Sequence, residues 1–115
     1  MNGTRFFIAA LATLPLAAFA HHGWSEYDTT QLLKLTGTIE SSGYEHPHGS
    51  ISLKTPTRTW MVVLAPPSRM DARGLAKELL KVGTTASVEG YANRGKPEEM
   101  RAERITVGGK TVELR

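Results

Sequence analysis

The four histidines of this chain lie in two pairs, and imidazole is the side chain best suited here to bind a metal ion. His21 and His22 are adjacent, and His46 and His48 flank Pro47. Imidazole nitrogen is a common ligand of zinc, copper and nickel. The sequence contains no cysteine, so a metal site must use nitrogen, oxygen or thioether sulfur. We therefore predict metal binding, with His21, His22, His48 and His46 as the candidate ligands.

The N-terminal twenty residues have the features of a secretory signal peptide. Arg5 precedes the apolar run Phe6–Ala12, and the segment closes with Ala18-Phe19-Ala20. A basic start, a short apolar stretch and an Ala-x-Ala end are typical of such signals. The run is shorter than the roughly 20 apolar residues that a membrane-spanning helix needs. We predict that residues 1–20 are removed, that the protein is periplasmic or secreted, and that the mature chain has no transmembrane segment. The alternative is an N-terminal helix buried in the core.

Cleavage after Ala20 would give His21 a second donor, its free α-amine. Amine and imidazole can chelate one ion together, as in the histidine brace of copper enzymes and copper-binding proteins. A nitrogen from His46 or His48 would be the third nitrogen ligand. Three nitrogen ligands suit Cu(II), which prefers tetragonal nitrogen and oxygen ligation. Copper is therefore the predicted cofactor. The acids that could add an oxygen ligand or orient an imidazole are Glu26, Asp28 and Glu45.

The same residues allow a metal-free interpretation. Adjacent histidines can be solvated at a frayed terminus, and Pro47 can simply shape a loop, because proline restricts itself and its predecessor. The domain would then be a protein-interaction module that docks onto another exported protein, with Trp24 and Tyr27 as contact residues. A brace-type copper enzyme is the third and least favoured hypothesis, because no pattern identifies a substrate or a catalytic residue.

The charge balance argues against nucleic acid as a partner. Lys and Arg number 14 against 11 Asp and Glu, a net charge of +3, and Arg5 leaves with the predicted signal. So small an excess, without a basic run, is not the charge pattern of a nucleic-acid-binding domain. Because no disulfide can form, we expect packing, a ligand or a partner to stabilise the fold.

The mature chain divides into a polar arm at residues 21–31 and a strand-rich domain at residues 32–115. From Leu33 onward apolar and polar residues alternate, which indicates a half-buried strand. Leu75, Leu79 and Leu80 have helical spacing and predict a helix from Met70 to Lys81, ended by Gly83. The strand patterns lie near residues 33–40, 51–53, 58–65, 88–91, 100–107 and 110–115.

The order of these elements predicts the fold class. A helix between the third and fourth strands of a five-stranded barrel is the arrangement of the OB-fold. We therefore predict a mainly β fold, a small OB-fold-like barrel with one helix between strands 3 and 4. The alternatives are a small β-sandwich and an open α+β sheet. An arm folded back beside the first strand, which is equally long, would bring its histidines close to the loop that contains His46 and His48.

Several short motifs are shared with a known family. They are His21-His22-Gly23 through Tyr27-Asp28, Leu35-Thr36-Gly37-Thr38, Pro47-His48, Trp60, Ala65-Pro66-Pro67-Ser68, Leu80-Lys81-Val82-Gly83, Val88-Glu89-Gly90-Tyr91 and Arg101-Ala102. With them the chain resembles a family of small exported bacterial proteins catalogued as a domain of unknown function. The resemblance implies export and an OB-like barrel, and it implies no activity.

The loop between the first two strands departs from this family's pattern. Such proteins usually have Asn-Pro-His where this chain has His46-Pro47-His48, which favours His48 over His46 as the shared functional group. The aromatic stretch that usually follows is reduced here to Gly49-Ser50-Ile51. The resemblance therefore does not extend to a binding face built from those aromatic residues.

Overall fold

The computed structural model describes residues 23–115 together with Gly3. The strands are β1 (Leu33–Gly43), β2 (Ser50–Lys54), β3 (Thr59–Val63), β4 (Thr85–Ala92), β5 (Glu99–Val107) and β6 (Lys110–Glu113). The helix α1 (Pro67–Ala72) and a 3-10 helix (Lys77–Leu80) lie between β3 and β4, and another 3-10 helix (Trp24–Glu26) precedes β1. The predicted signal peptide lies outside the described residues. Within residues 23–115 no helix is long and apolar enough to cross a membrane.

Strand β1 joins the two sides of a closed barrel. Its first half pairs antiparallel with β4 and its second half with β2, and Thr38 has a partner on both sides. A bulge between Ile39 and Ser41 follows, and bulges bend a strand locally. Strand β3 is antiparallel to β2 and parallel to β5, which completes the circle of β1 to β5. The predicted mainly β, OB-like barrel is therefore confirmed, with one α-helix among the described residues between strands 3 and 4.

The period-two pattern places the apolar side chains in the core. In the strand predicted near residues 58–65, Trp60, Val62 and Leu64 are buried, whereas Met61 between the first two is exposed. Ile39 is fully buried. It directly follows Thr38, where β1 has partners on both sides. Burial contributes about 25 cal/mol for each Å² of apolar surface, so these alternating side chains fix which face of each strand points inward.

The helical segment differs from its prediction. Instead of one helix from Met70 to Lys81, α1 ends at Ala72 because Gly74 adopts a positive φ of 85°. The N–H of Leu75 donates to the carbonyl of Met70, and the N–H of Gly74 donates to that of Asp71. These two bonds form a Schellman motif, which terminates a helix and satisfies its last carbonyls. The predicted stop at Gly83 was therefore wrong.

Tyr44 fastens the β1–β2 loop to the helical segment. Its hydroxyl lies 2.7 Å from the carbonyl oxygen of Leu75 and 3.0 Å from Oδ1 of Asp71. Burial, together with the hydrogen bond to Asp71, raises the pKa of Tyr44 to about 12. The phenol therefore stays protonated and holds the start of the loop that contains His48.

Candidate functional site

A cavity of about 760 Å³ opens where three segments of the chain meet. The segments are the arm, the β1–β2 loop and the β4–β5 loop, with one residue each from β3 and β5. The lining residues are Glu26, Tyr27, Pro47, His48, Val63, Asn93, Arg94, Gly95, Lys96 and Glu99. In OB-folds these two loops form one end of the ligand-binding face. This cavity is therefore the candidate functional site.

The arm reaches the cavity along the end of β4. Tyr27 forms an antiparallel bridge with Asn93, and the N–H of Asp28 donates to the carbonyl of Ala92 over 2.8 Å. The described part of the arm thus continues the line of β1 along β4, rather than folding back beside β1. The arm nevertheless reaches the β1–β2 loop, because the barrel places that loop at the end where the arm lies.

Glu99 ties the arm to the β4–β5 loop. The hydroxyl of Tyr27 donates to Oε2 of Glu99 over 2.7 Å, and Nδ2 of Asn93 donates to the same oxygen over 2.8 Å. Burial, with the hydrogen bond to this carboxylate, raises the pKa of Tyr27 well above its usual value. Tyr27 is 4% exposed, so its contacts are made within the chain. Glu99 is the first residue of β5, one residue before the strand pattern that the sequence indicated.

Trp24 packs against the barrel through aromatic and cationic neighbours. Its ring makes edge contacts with Tyr27 and Tyr91, with centroids 6.4 and 6.0 Å apart. The Cζ atoms of Arg101 and Arg115 lie 4.4 and 4.7 Å from the centroid of the Trp24 ring. Guanidinium groups at this distance are attracted by the ring quadrupole. The two aromatic residues predicted to contact a partner therefore dock the arm onto the barrel, and a role in partner binding stays a prediction.

His48 is the half-buried histidine of the cavity. Its Nε2 lies 3.5 Å from Nη2 of Arg101, which is only 7% exposed. Burial lowers the pKa of His48, and the charges of Arg101 and Arg69 lower it further. The imidazole is therefore neutral at pH 7 and keeps a lone pair that can accept a hydrogen bond or bind a metal. The neighbouring guanidinium opposes a cation at Nε2.

The other predicted site residues have different positions. His21 and His22 lie outside the described residues. Glu26 lines the cavity with His48, whereas His46 and Glu45 are exposed on the β1–β2 loop. The carboxylate of Asp28 accepts hydrogen bonds from Thr30, which lower its pKa.

The described residues do not assemble a metal site by themselves. In residues 23–115 no three His, Cys, Asp or Glu side chains lie together as a group that could hold a metal ion. A three-ligand site at the cavity would therefore need His21 or His22 in addition to His48.

The comparisons with known proteins place the chain in a family. The model of a family of unknown function, DUF6152, matches residues 9–101. The chain belongs to this family. No curated protein matches this DUF6152 chain significantly. The resemblance to a family of unknown function that the motifs indicated is thereby confirmed.

A solved structure supports the fold. The chain is similar to a chain in the crystal structure of a complex of TiaS with tRNA and ATP, with a TM-score of 0.53 and 18% sequence identity. The match covers 76% of the DUF6152 chain and 19% of the other chain. At this identity the likeness shows the fold alone.

Sequence reasoning missed two parts of the site in this DUF6152 member. One is the β4–β5 loop, whose residues 93–96 line the cavity and which contained none of the predicted site residues. The predicted OB-fold contained the missing signal, because its β1–β2 and β4–β5 loops lie at the same end of the barrel. The other is Arg101, which is separated from His48 by 53 positions. No local spacing could have joined the two.

Proposed function

We propose that this protein is an exported binding module that holds Cu(II), or another divalent metal, at the cavity. The ligands are His21, with its α-amine, His22 and His48, and His46 is an accessory group. One observation carries the proposal: the arm that directly follows His22 and the loop that contains His48 line the same cavity.

The distances support a shared site. The ring of Trp24 lies 4.4 Å from Cζ of Arg101, whose Nη2 lies 3.5 Å from Nε2 of His48. His22 precedes Trp24 by two residues, which span about 7 Å when extended. Two extended residues are thus long enough to bridge the separation between Trp24 and His48 while the arm stays docked.

The protonation state of His48 also supports metal binding. A metal ligand must be deprotonated, and the lowered pKa of His48 meets this condition at neutral pH. The charge of Arg101 acts against it, so a metal that takes Nε2 must displace the guanidinium. Metal binding at Nε2 therefore competes with the contact between His48 and Arg101.

The second candidate is a metal-free protein-interaction module. It is favoured by the finding that residues 23–115 contain no group of three potential metal ligands, and by the exposed apolar side chains of Val82 and Leu32. Partner binding that survives replacement of both histidine pairs would support it. A brace-type copper enzyme is the third candidate, and neither the cavity nor the sequence names a substrate for it.

The test is a Cu(II) titration with EPR on protein whose mass confirms that it starts at His21. We expect one tightly bound ion with several nitrogen ligands. One extra residue before His21, or His48→Ala, should abolish this site, whereas His46→Ala should preserve most of it. Weak binding of several ions, unchanged by the added residue and by His48→Ala, would overturn the proposal.

A further inference from the structure

The cavity beside His48 has the size of a pocket for a small organic molecule. Its volume is about 760 Å³, and pockets for small ligands have volumes of roughly 300–1,000 Å³. Pro47 and Val63 supply apolar lining, which can bury the apolar part of an organic molecule. An inorganic ion alone would leave most of this volume to water.

Two cationic side chains of the β4–β5 loop, Arg94 and Lys96, line this cavity. The ion pairs within residues 23–115 include neither of them. Nε of Arg94 donates to the carbonyl oxygen of Tyr27 over 3.3 Å, which holds the guanidinium at the cavity. A guanidinium has five N–H donors in a planar fork that matches a carboxylate. One bond to the backbone therefore leaves donors of Arg94 for a ligand.

The acids of the lining are Glu26 and Glu99. Oε2 of Glu99 accepts hydrogen bonds from the hydroxyl of Tyr27 and from Nδ2 of Asn93, so these neighbours stabilise its charge. Glu26 adds a second negative charge to the lining. Because these acids repel a negative ligand, an anion with one charge suits the cavity better than an anion with two.

The end of the cavity at His48 has additional positive charge behind it. Nη2 of Arg101 lies 3.5 Å from Nε2 of His48, and a guanidinium can only donate. Nε2 therefore faces Arg101 as the acceptor, and the proton of the neutral ring lies on Nδ1. Burial lowers the pKa of His48, and the charges of Arg101 and Arg69 lower it further. Since both charges are positive, an anion beside His48 is stabilised.

We propose that the cavity binds a small organic molecule that carries one carboxylate group. Arg94 and Lys96 attract the carboxylate from the β4–β5 loop, and the Nδ1–H of His48 is a further donor. The apolar part of the molecule packs on Pro47 and Val63. The inference goes beyond the proposed function, because it concerns the metal-free protein.

Benzoate is the probe, and benzamide and benzamidine are its neutral and cationic counterparts of nearly the same size. Protein that starts at His21 would be titrated with each compound in the presence of EDTA. Binding would be followed by NMR at the amides of His48, Gly95 and Lys96. Benzoate should cause saturable shifts and bind roughly tenfold more tightly than benzamide, the factor for one hydrogen bond to a charged group. Benzamidine should bind more weakly than benzamide.

A matched pair of variants tests the position of the site. Arg94→Gln should weaken benzoate binding by about fivefold, the factor for one exposed charge pair. Lys34→Gln removes the same charge from β1, where Lys34 pairs with Glu89 and lies outside the cavity lining, and it should leave benzoate binding unchanged. Equal losses in the two variants would assign the attraction to the net charge of the protein and overturn the site.

The affinities for the other compounds test the class of ligand. Equal affinity for benzoate and benzamide would show an apolar pocket without charge selection and overturn the proposal. Tighter binding of benzamidine, or no saturable shift with benzoate, would also overturn it. Inorganic phosphate that matches the affinity of benzoate would show a simple oxyanion site and overturn the organic ligand.

The carboxylate site and the proposed metal site can fail separately. The double variant His21→Ala, His22→Ala should lose tight Cu(II) binding and keep benzoate binding. Intact Cu(II) binding without benzoate selectivity would overturn the carboxylate site alone. Benzoate selectivity in protein that binds Cu(II) only weakly would overturn the metal site alone.

Discussion

Replacing Gly90 with alanine tests whether close contact between β4 and β5 holds the barrel around the site. A Cβ built on Gly90 would lie 1.9 Å from the carbonyl oxygen of Arg101 and 2.8 Å from Cα of Ala102. Both obstacles are backbone atoms, so the strands must separate by about 1 Å or more to restore van der Waals contact. Overpacking of this kind costs about 1–3 kcal/mol. Because the obstructing atoms belong to a rigid backbone, the cost should lie at the upper end of this range.

The expected loss for Gly90→Ala is therefore about 3 kcal/mol in the free energy of unfolding. For a domain of this size that corresponds to a fall in Tm of roughly 12–24 °C. Urea denaturation followed by circular dichroism would measure it. Gly95→Ala is the matched control, because the atom nearest to its Cβ lies 3.8 Å away, and it should change stability by less than about 0.5 kcal/mol. Wild-type stability in Gly90→Ala would refute the reasoning.

Three further predictions follow from the contacts of the site and its supports. Burial or a hydrogen bond to a carboxylate raises the pKa of all three tyrosines, so absorbance at 295 nm should show Tyr27 and Tyr44 ionising well above pH 10 in the folded protein. Because these pKa values are raised by folding, the stability that the tyrosines contribute should be constant below pH 10 and be lost as the pH rises further; normal ionisation of all three tyrosines near pH 10 in the native state would contradict this. Tyr44→Phe removes the hydrogen bonds to Leu75 and Asp71 and should cost about 1–2 kcal/mol in urea denaturation, whereas an unchanged midpoint would show that they contribute nothing. Arg101→Gln removes a positive charge beside His48 and should tighten Cu(II) binding by roughly tenfold; weaker binding would show that the guanidinium supports the site.

The sequence by itself determined the strands and their inward faces. Alternation of period two predicts a strand wherever one face is buried, and the burial of Trp60, Val62 and Leu64 agrees with it. The helix was less well determined. Leu75, Leu79 and Leu80 fit a helical face, but Leu79 is 40% exposed, because the Schellman motif at Gly74 separates these leucines from α1.

Only the tertiary structure decided which residues surround His48. The sequence identified His48 as a candidate ligand from its type and its loop. Its neighbour Arg101 comes from β5, and it is brought there by the parallel pairing of β3 with β5 that closes the barrel. Local patterns report which face of a segment is buried, because they depend on neighbours one to four residues away. A contact between positions 53 apart depends on how the barrel closes, and that physical constraint is absent from local periodicity.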